Sequence, residues 1–425
     1  MIPRATPLAF AAATLIAWAL LLGLVTDRAE LFVAAVPLAA GLLGVGPRTR
    51  APRFELRQEL SADRLAEGDR VVVSVHVAAS DPAPMIEILV ALPPLIEIAA
   101  GSNRVVLAAG PGAQESWSFA VHCPARGRFD LGTVHLRVWD RSGMAVSESR
   151  QATPMPISVY PYVAPIRHVP RPVRTQLSFG NYVSAGLGEG IEPGEIRPFL
   201  PGDRTRRINW RVSLRRQQLY VTQFHEERNA DVVLLLDALS DSGAAPYSTL
   251  DASVRAAAAL AGAYLARKDR VGFVEFGGFL RWINPGTGQR QGAALVEGLL
   301  PAATHFSYVV PQLDRLPARV LPPQALVIAL SPLLDRRFVT ALIDLAARGF
   351  DVVVLAVSPI EATRLVLGGS LLDDVACRLW AMEWQTKLDG LRRQGLAIVE
   401  WHPGTPLDAV LAPIARSRPR PVARR

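Results

Sequence analysis

Three regimes of hydrophobic patterning follow one another along the chain. Leu8 to Val25 is an uncharged apolar run, LAFAAATLIAWALLLGLV, and Asp27-Arg28-Ala29-Glu30 separates it from a shorter one, Leu31 to Val45. About 20 apolar residues in a helix span the hydrocarbon layer. Pro37 and the glycines of the second run are tolerated in membrane helices. The pattern predicts a transmembrane helical hairpin over residues 1–53. From Phe54 to Pro161 the pattern shifts toward short β-branched runs with partial alternation. These are Arg70 to Ala78, Ile86 to Ala91, Ser116 to Val121 and Thr133 to Trp139. Turn signals at Glu67-Gly68-Asp69, Ser80-Asp81-Pro82, Pro111-Gly112 and Arg126-Gly127 divide them. Short strands at this spacing predict a β-sandwich domain over 54–161.

The third regime begins at Asp231. Continuous apolar strands, Asp231 to Asp237, Val271 to Phe276, Ala325 to Leu330 and Asp351 to Val357, alternate with helical stretches. Those stretches are Leu250 to Arg267, Ala293 to Leu300, Arg337 to Arg348 and Leu372 to Gln394. Strands apolar on both faces, alternating with helices, predict a doubly wound α/β domain over 226–410. A linker and an Arg-rich segment over 162–225 precede it, extended where Tyr162 to Pro172 is proline-rich. A basic tail, 411–425, follows. The expected fold class is therefore multidomain: hairpin, β-sandwich, then α/β.

The 425 residues are 50% hydrophobic and carry a net charge of +8. Arg supplies nearly all of the excess, and Lys is scarce. Arg4 precedes the first apolar run, while Arg48, Arg50 and Arg53 follow the second. The positive-inside rule then puts both ends of the hairpin, and the bulk of the chain, in the cytoplasm beneath the inner membrane. The two cysteines, Cys123 and Cys377, are far apart, with no CxxC or Cys/His cluster to suggest zinc or iron–sulfur. Nucleophile elbows, P-loops and dinucleotide fingerprints are also missing from the sequence. The expectation is a protein that is not an enzyme and carries no resident cofactor.

The densest motif runs from Glu195 to Arg215. It holds Glu195, Arg197, Phe199, Gly202, Asp203, Arg207, Ile208, Asn209, Trp210 and Arg215. Pro201-Gly202-Asp203 is a turn, and Asp203 is placed to cap a helix starting just after it. On such a helix Ile208, Val212 and Trp210 would face inward. Arg204, Arg207, Arg211 and Arg215 would share a basic face. That face suits a solvated surface paired with the protein's own acids, a protein-docking surface, or anionic lipid. No recognised nucleic-acid motif accompanies it. The segment closely resembles the signature of the bacterial family known as domain of unknown function 58. That resemblance extends to the plan of hairpin, β domain, signature and α/β domain. It implies protein partners, in particular a MoxR-type AAA+ ATPase, and roles in complex assembly, envelope maturation or stress. It also implies signature residues Glu195, Arg197, Gly202, Asp203, Arg207, Asn209, Trp210 and Arg215 as candidates for partner binding.

The α/β domain is similar to a von Willebrand factor A module, whose cation site takes hard oxygens from Asp-x-Ser-x-Ser and two later loops. Asp237 stands at the end of its strand, where ligands bind in such sheets. Yet Leu239 and Asp241 occupy the two hydroxyl positions, with Ser240 and Ser242 one residue late. Asp237, Ser240, Thr304 and Asp335 are the candidate ligands of a degenerate Mg²⁺ site. The favoured expectation is a membrane-anchored scaffold or adaptor binding proteins, without small-molecule substrate or nucleic acid. The alternative is a divalent-cation-dependent adhesion or ligand-binding receptor.

Overall fold

The computed structural model describes residues 3–43, 54–79, 83–110, 114–140, 142–172, 176–201, 203–229, 231–305 and 321–417. Arg48, Arg50 and Arg53, the expected turns at Ser80–Pro82 and Pro111-Gly112, Gly202 and the last eight residues lie outside the described residues. The chain forms two compact units, Met1–Tyr160 and Pro161–Arg425.

The first unit opens with a short strand, Pro3–Ala5, and two helices, α1 (Pro7–Thr26) and α2 (Ala29–Leu43). The Thr6 side chain caps α1, accepting from the Ala9 amide, while its hydroxyl donates to the Gly143 carbonyl at 2.7 Å. Pro3–Ala5 adds antiparallel to the strand Ala145–Ala152. Ala9 and Ala12 pack on Met144, with Leu38 and Leu42 of α2 beside them. The start of α1 is thus anchored to the β-sheet. Further along, α1 bares Leu15, Trp18 and Leu24 to the surroundings. At Gly23 a Cβ would meet the Phe32 ring at 2.8 Å, so a larger residue there would have to push that ring aside. Pro7–Thr26 is long and apolar enough to cross a membrane.

The rest of this unit is β-structure. One sheet pairs Phe54–Leu60, Arg70–Ala79, Gln114–His122 and Glu97–Ala100. A second is built on Ala83–Val90, Thr133–Trp139 and Ala145–Ala152. Every second residue of Arg70–Ala79 points inward, and Val71, Val73, Val75 and Val77 are buried. They share one core with Ile86, Ile88, Val134 and Leu136 of the second sheet, so the two sheets face each other.

The second unit is organised around a six-stranded sheet: β1 (Asp231–Asp237), β2 (Arg270–Phe276), β3 (Leu280–Gly286), β4 (Leu326–Ser331), β5 (Asp351–Val357) and β6 (Ala397–Trp401). Their order is β3-β2-β1-β4-β5-β6, all parallel except β3. The helices are α3 (Trp210–Arg216), α4 (Thr249–Ala266), α5 (Gly288–Leu299), α6 (Arg336–Ala347), α7 (Pro359–Arg364), α8 (Leu371–Arg393) and α9 (Leu407–Ser417). Alternate residues of each strand serve opposite cores. Val232, Leu234 and Leu236 meet α4, α5 and α9, whereas Val233 and Leu235 meet α6 and α8. Burial on both faces is why these strands read as unbroken apolar runs.

Two stretches differ from the sequence reading. The proline-rich stretch is extended, but it is strapped to the domain rather than free. Val169 is buried, the Tyr264 hydroxyl donates to the Pro170 carbonyl at 2.5 Å, and Asp408 accepts the amides of Arg167 and His168 at 2.7 Å. At the other end, α9 runs through the expected tail boundary at residue 411. Leu411 is buried in the sheet's core, because the helix needs its second turn to cover β6.

Candidate functional site

The signature segment folds around an ion pair. Both guanidinium nitrogens of Arg197 donate to Asp203, each at 2.7 Å, and Asp203 also accepts the Leu200 amide at 2.8 Å. The Arg197 fork and the amide hold the Asp203 carboxyl below the usual carboxylate range. Asp203 therefore closes the Pro198–Asp203 turn onto Arg197 and caps no helix. A 3₁₀ turn, Thr205–Arg207, comes next, and α3 begins only at Trp210. Asn209 is the cap: its side chain accepts from the Val212 amide at 3.2 Å and donates to Thr222 at 3.1 Å. The amide of Asn209 donates to the Tyr220 carbonyl, tying α3 to the following strand, Tyr220–Asn229.

Two expectations are corrected by this arrangement. Arg204 and Arg207 precede α3, so only Arg211 and Arg215 lie on it, and a four-Arg helical face does not form. Trp210 faces outward, 61% exposed, and Leu214 one turn on is 79% exposed. A helix of seven residues with Ser213 against Tyr220 has only one face to bury, and the small serine takes it. Glu195 lies at the end of the long strand Gln176–Pro198, which pairs with Tyr220–Asn229.

A second constellation sits at the carboxyl ends of the parallel strands. Asp237 is 1% exposed. One of its oxygens accepts the Leu239 amide at 2.9 Å. The other accepts the Ser331 hydroxyl at 2.5 Å, with Ser240 Oγ 3.5 Å away. Burial pushes this carboxyl up to about 7, against the pull of its hydrogen bonds, and the Asp335 charge adds to the rise. Asp335 caps α6 and pairs with Arg337 at 2.7 Å, which keeps its own pKa low. Lys387 of α8 donates to the Leu333 carbonyl, and Trp384 Nε1 donates to the Pro332 carbonyl at 2.9 Å. Together they pin the Ser331–Asp335 loop, in which Leu333 takes a left-handed conformation. Asp241 accepts from Ser242, Thr249 and Leu250, fixing the start of α4.

These residues do not make a cation cage as arranged. Both Asp237 oxygens and the Asp335 carboxylate are already engaged, and Leu239 has no side-chain oxygen. Among the described residues Thr304 makes no hydrogen bond to Asp237. Two fixed cations, Arg337 and Lys387, are close enough to feel the Asp237 charge. The sequence reading missed Lys387, although it is one of only two lysines in an Arg-rich chain. It also missed a charged cluster past β5 and β6. There His402 lies 2.7 Å from Glu361 and 3.0 Å from Glu400. Burial alone would lower the His402 pKa, but the Glu361 hydrogen bond and the two carboxylate charges raise it on balance.

Residues 195–392 match the model of the family described as protein of unknown function DUF58. The DUF58 match covers just under half of the chain. The matched DUF58 region begins at Glu195, takes in the Arg197–Asp203 pair, α3 and β1 through β5, and ends within α8. Among curated relatives, uncharacterized protein YeaD of Bacillus subtilis is 24% identical over 234 residues, 53% of this chain and 57% of that protein. Uncharacterized protein Rv1480 of Mycobacterium tuberculosis is 31% identical over 121 residues, 28% of this chain and 32% of that one. The match thus spans 57% of the first of these relatives and 32% of the second. Native alpha-2-macroglobulin from Escherichia coli, a solved structure spanning domain MG7 to its C-terminus, is 15% identical with a TM-score of 0.24. The alignment covers 35% of this chain and 20% of that one.

Proposed function

We propose that this protein is a membrane-anchored, non-enzymatic scaffold that docks other proteins through its DUF58 signature, with a MoxR-type AAA+ ATPase as the partner the family resemblance implies. The observation that carries the reading is the outward display of Trp210 and Leu214 one turn apart on α3, flanked by the exposed Arg211 and Arg215. Exposed tryptophan costs solvation and is the residue type most enriched at binding hot spots. The Arg197–Asp203 clamp and the Asn209 cap hold α3 in place, so the display is preorganised. In this reading α1 and α2 form a hairpin in the inner membrane and the remainder is cytoplasmic. The α/β domain is read as von Willebrand factor A-like, supported by its strand order and its single antiparallel edge strand. Its Asp237 loop is a hydrogen-bonded structural element in place of a cation site.

The test uses the full chain in mild detergent and a purified MoxR-type ATPase from the same bacterium, with binding read by calorimetry. Trp210→Ala and Leu214→Ala should each weaken binding by at least tenfold while leaving the melting temperature unchanged. No binding by the intact chain, or binding indifferent to both substitutions, would overturn the proposal.

A further inference from the structure

The outer face of α8 carries an apolar seam that the domain itself does not cover. Cys377, Trp384 and Leu391 recur every seven residues and are buried against the sheet with Leu388. On the opposite side Leu372, Val375, Leu379 and Met382 follow at intervals of three, four and three, and they are 79, 45, 62 and 68% exposed. That spacing gives the a and d positions of two heptads. Thr386 and Asp389 would continue the series, but both are polar and exposed, so the seam stops there. Leu371, 81% exposed, extends it at its amino end. Monomeric proteins rarely expose contiguous apolar patches beyond a few hundred Å². A standard interface takes roughly 800 Å² from each partner, so a seam of this kind is a candidate for the core of one.

The flanking charges say what fits. With Leu372 and Leu379 at a, Arg378 falls at g and Glu383 at e. In a parallel pair of identical helices, g of one copy faces e of the next heptad on the other. Arg378 would then meet Glu383 of a second copy twice, once on each side of the seam. In an antiparallel pair g faces g, and two Arg378 side chains would repel each other. The e and g charges set partner and orientation in such seams, and a two-fold axis makes any self-complementary patch bind its own copy.

We propose that α8 is a homodimerisation helix, packing in parallel against α8 of a second copy of this chain through Leu372, Val375, Leu379 and Met382. The interface is isologous, with the Arg378–Glu383 pairs at its edges. It lies on the opposite side of α8 from the Lys387–Leu333 and Trp384–Pro332 contacts of the Asp237 loop.

The test is the oligomeric state of the full chain in mild detergent, measured by light scattering with the detergent mass subtracted. Dimers are expected. Leu379→Arg should raise the dissociation constant by at least about 30-fold while leaving the far-UV circular dichroism of the chain unchanged, since within one copy the side chain faces solvent. Leu379→Ser serves if the arginine disturbs folding. Orientation is read by oxidative cross-linking in membranes. Val375→Cys and Met382→Cys, each alone, should give a band of twice the mass, whereas the native Cys123 and Cys377 are buried. Several results would overturn the proposal. These are a monomeric wild type, a dimer that survives both Leu379 substitutions, and cross-linking only in mixtures of Leu372→Cys with Met382→Cys chains, which is the antiparallel pattern.

Discussion

Single residues set the chemistry of the loops at the carboxyl end of the sheet, and Asp237 shows how. Its carboxyl, raised to about 7 by burial, keeps its proton in the folded chain at pH values where an unfolded aspartate, with a pKa of about 3.9, has lost it. The folded state then binds more protons than the unfolded one between those values, so stability falls as pH rises from about 4 to about 7 and levels off above. Asp237→Asn keeps the Leu239 amide contact and removes the titration. The urea midpoint of this variant should therefore vary less over that window than the wild type's. A wild-type midpoint that rises over the same window would contradict the assignment. Asn209 acts at the same scale. Its side chain caps α3, and Asn209→Ala should cost that helix about 1 kcal/mol. Faster amide exchange confined to Trp210–Arg216 is the expected readout.

At the scale of elements, burial pattern decides which features are legible in a sequence. The strands Asp231–Asp237 and Asp351–Val357 are found where the apolar runs put them, because strands buried on both faces leave no polar residue to blur their ends. The antiparallel strand Leu280–Gly286 is not legible in the same way. It lies at a sheet edge, half exposed and proline-containing, and only its pairing with Arg270–Phe276 makes it a strand. The signature helix fails for a different reason. Asp203 has the chemistry of a cap, but Arg197, six residues earlier, offers a two-pronged ion pair, and a charged fork outcompetes a single amide. Trp210 then falls on the exposed face, which no amphipathic pattern could anticipate. On α8, Trp384 fills the space between the helix and the Ser331–Asp335 loop. Trp384→Ala should cost about 3–5 kcal/mol through cavity formation, with further loss from the orphaned Pro332 carbonyl. Thermal melts of the full chain would read it, and a change under 1 kcal/mol would argue against this packing.

For the molecule as a whole, the cores fall separately into the two units. The β-sheets and helical pair form one set of clusters, and the two faces of the α/β sheet form the other. The hairpin and its orientation are the part of the reading that rests on composition and charge. A cysteine at Arg28, between α1 and α2, should react with an impermeant maleimide added to spheroplasts. One at the exposed Arg290 should react only after lysis. Labelling at Arg290 without lysis would reverse the orientation.

One contact gives the domain an optical handle. The Trp384 indole is hydrogen-bonded to the backbone one residue from Ser331, whose hydroxyl rests on Asp237. Proton uptake by that acid should thus shift the emission of a nearby fluorophore already present in the chain. The difference spectrum between wild type and Trp384→Phe isolates its signal from those of the other seven tryptophans.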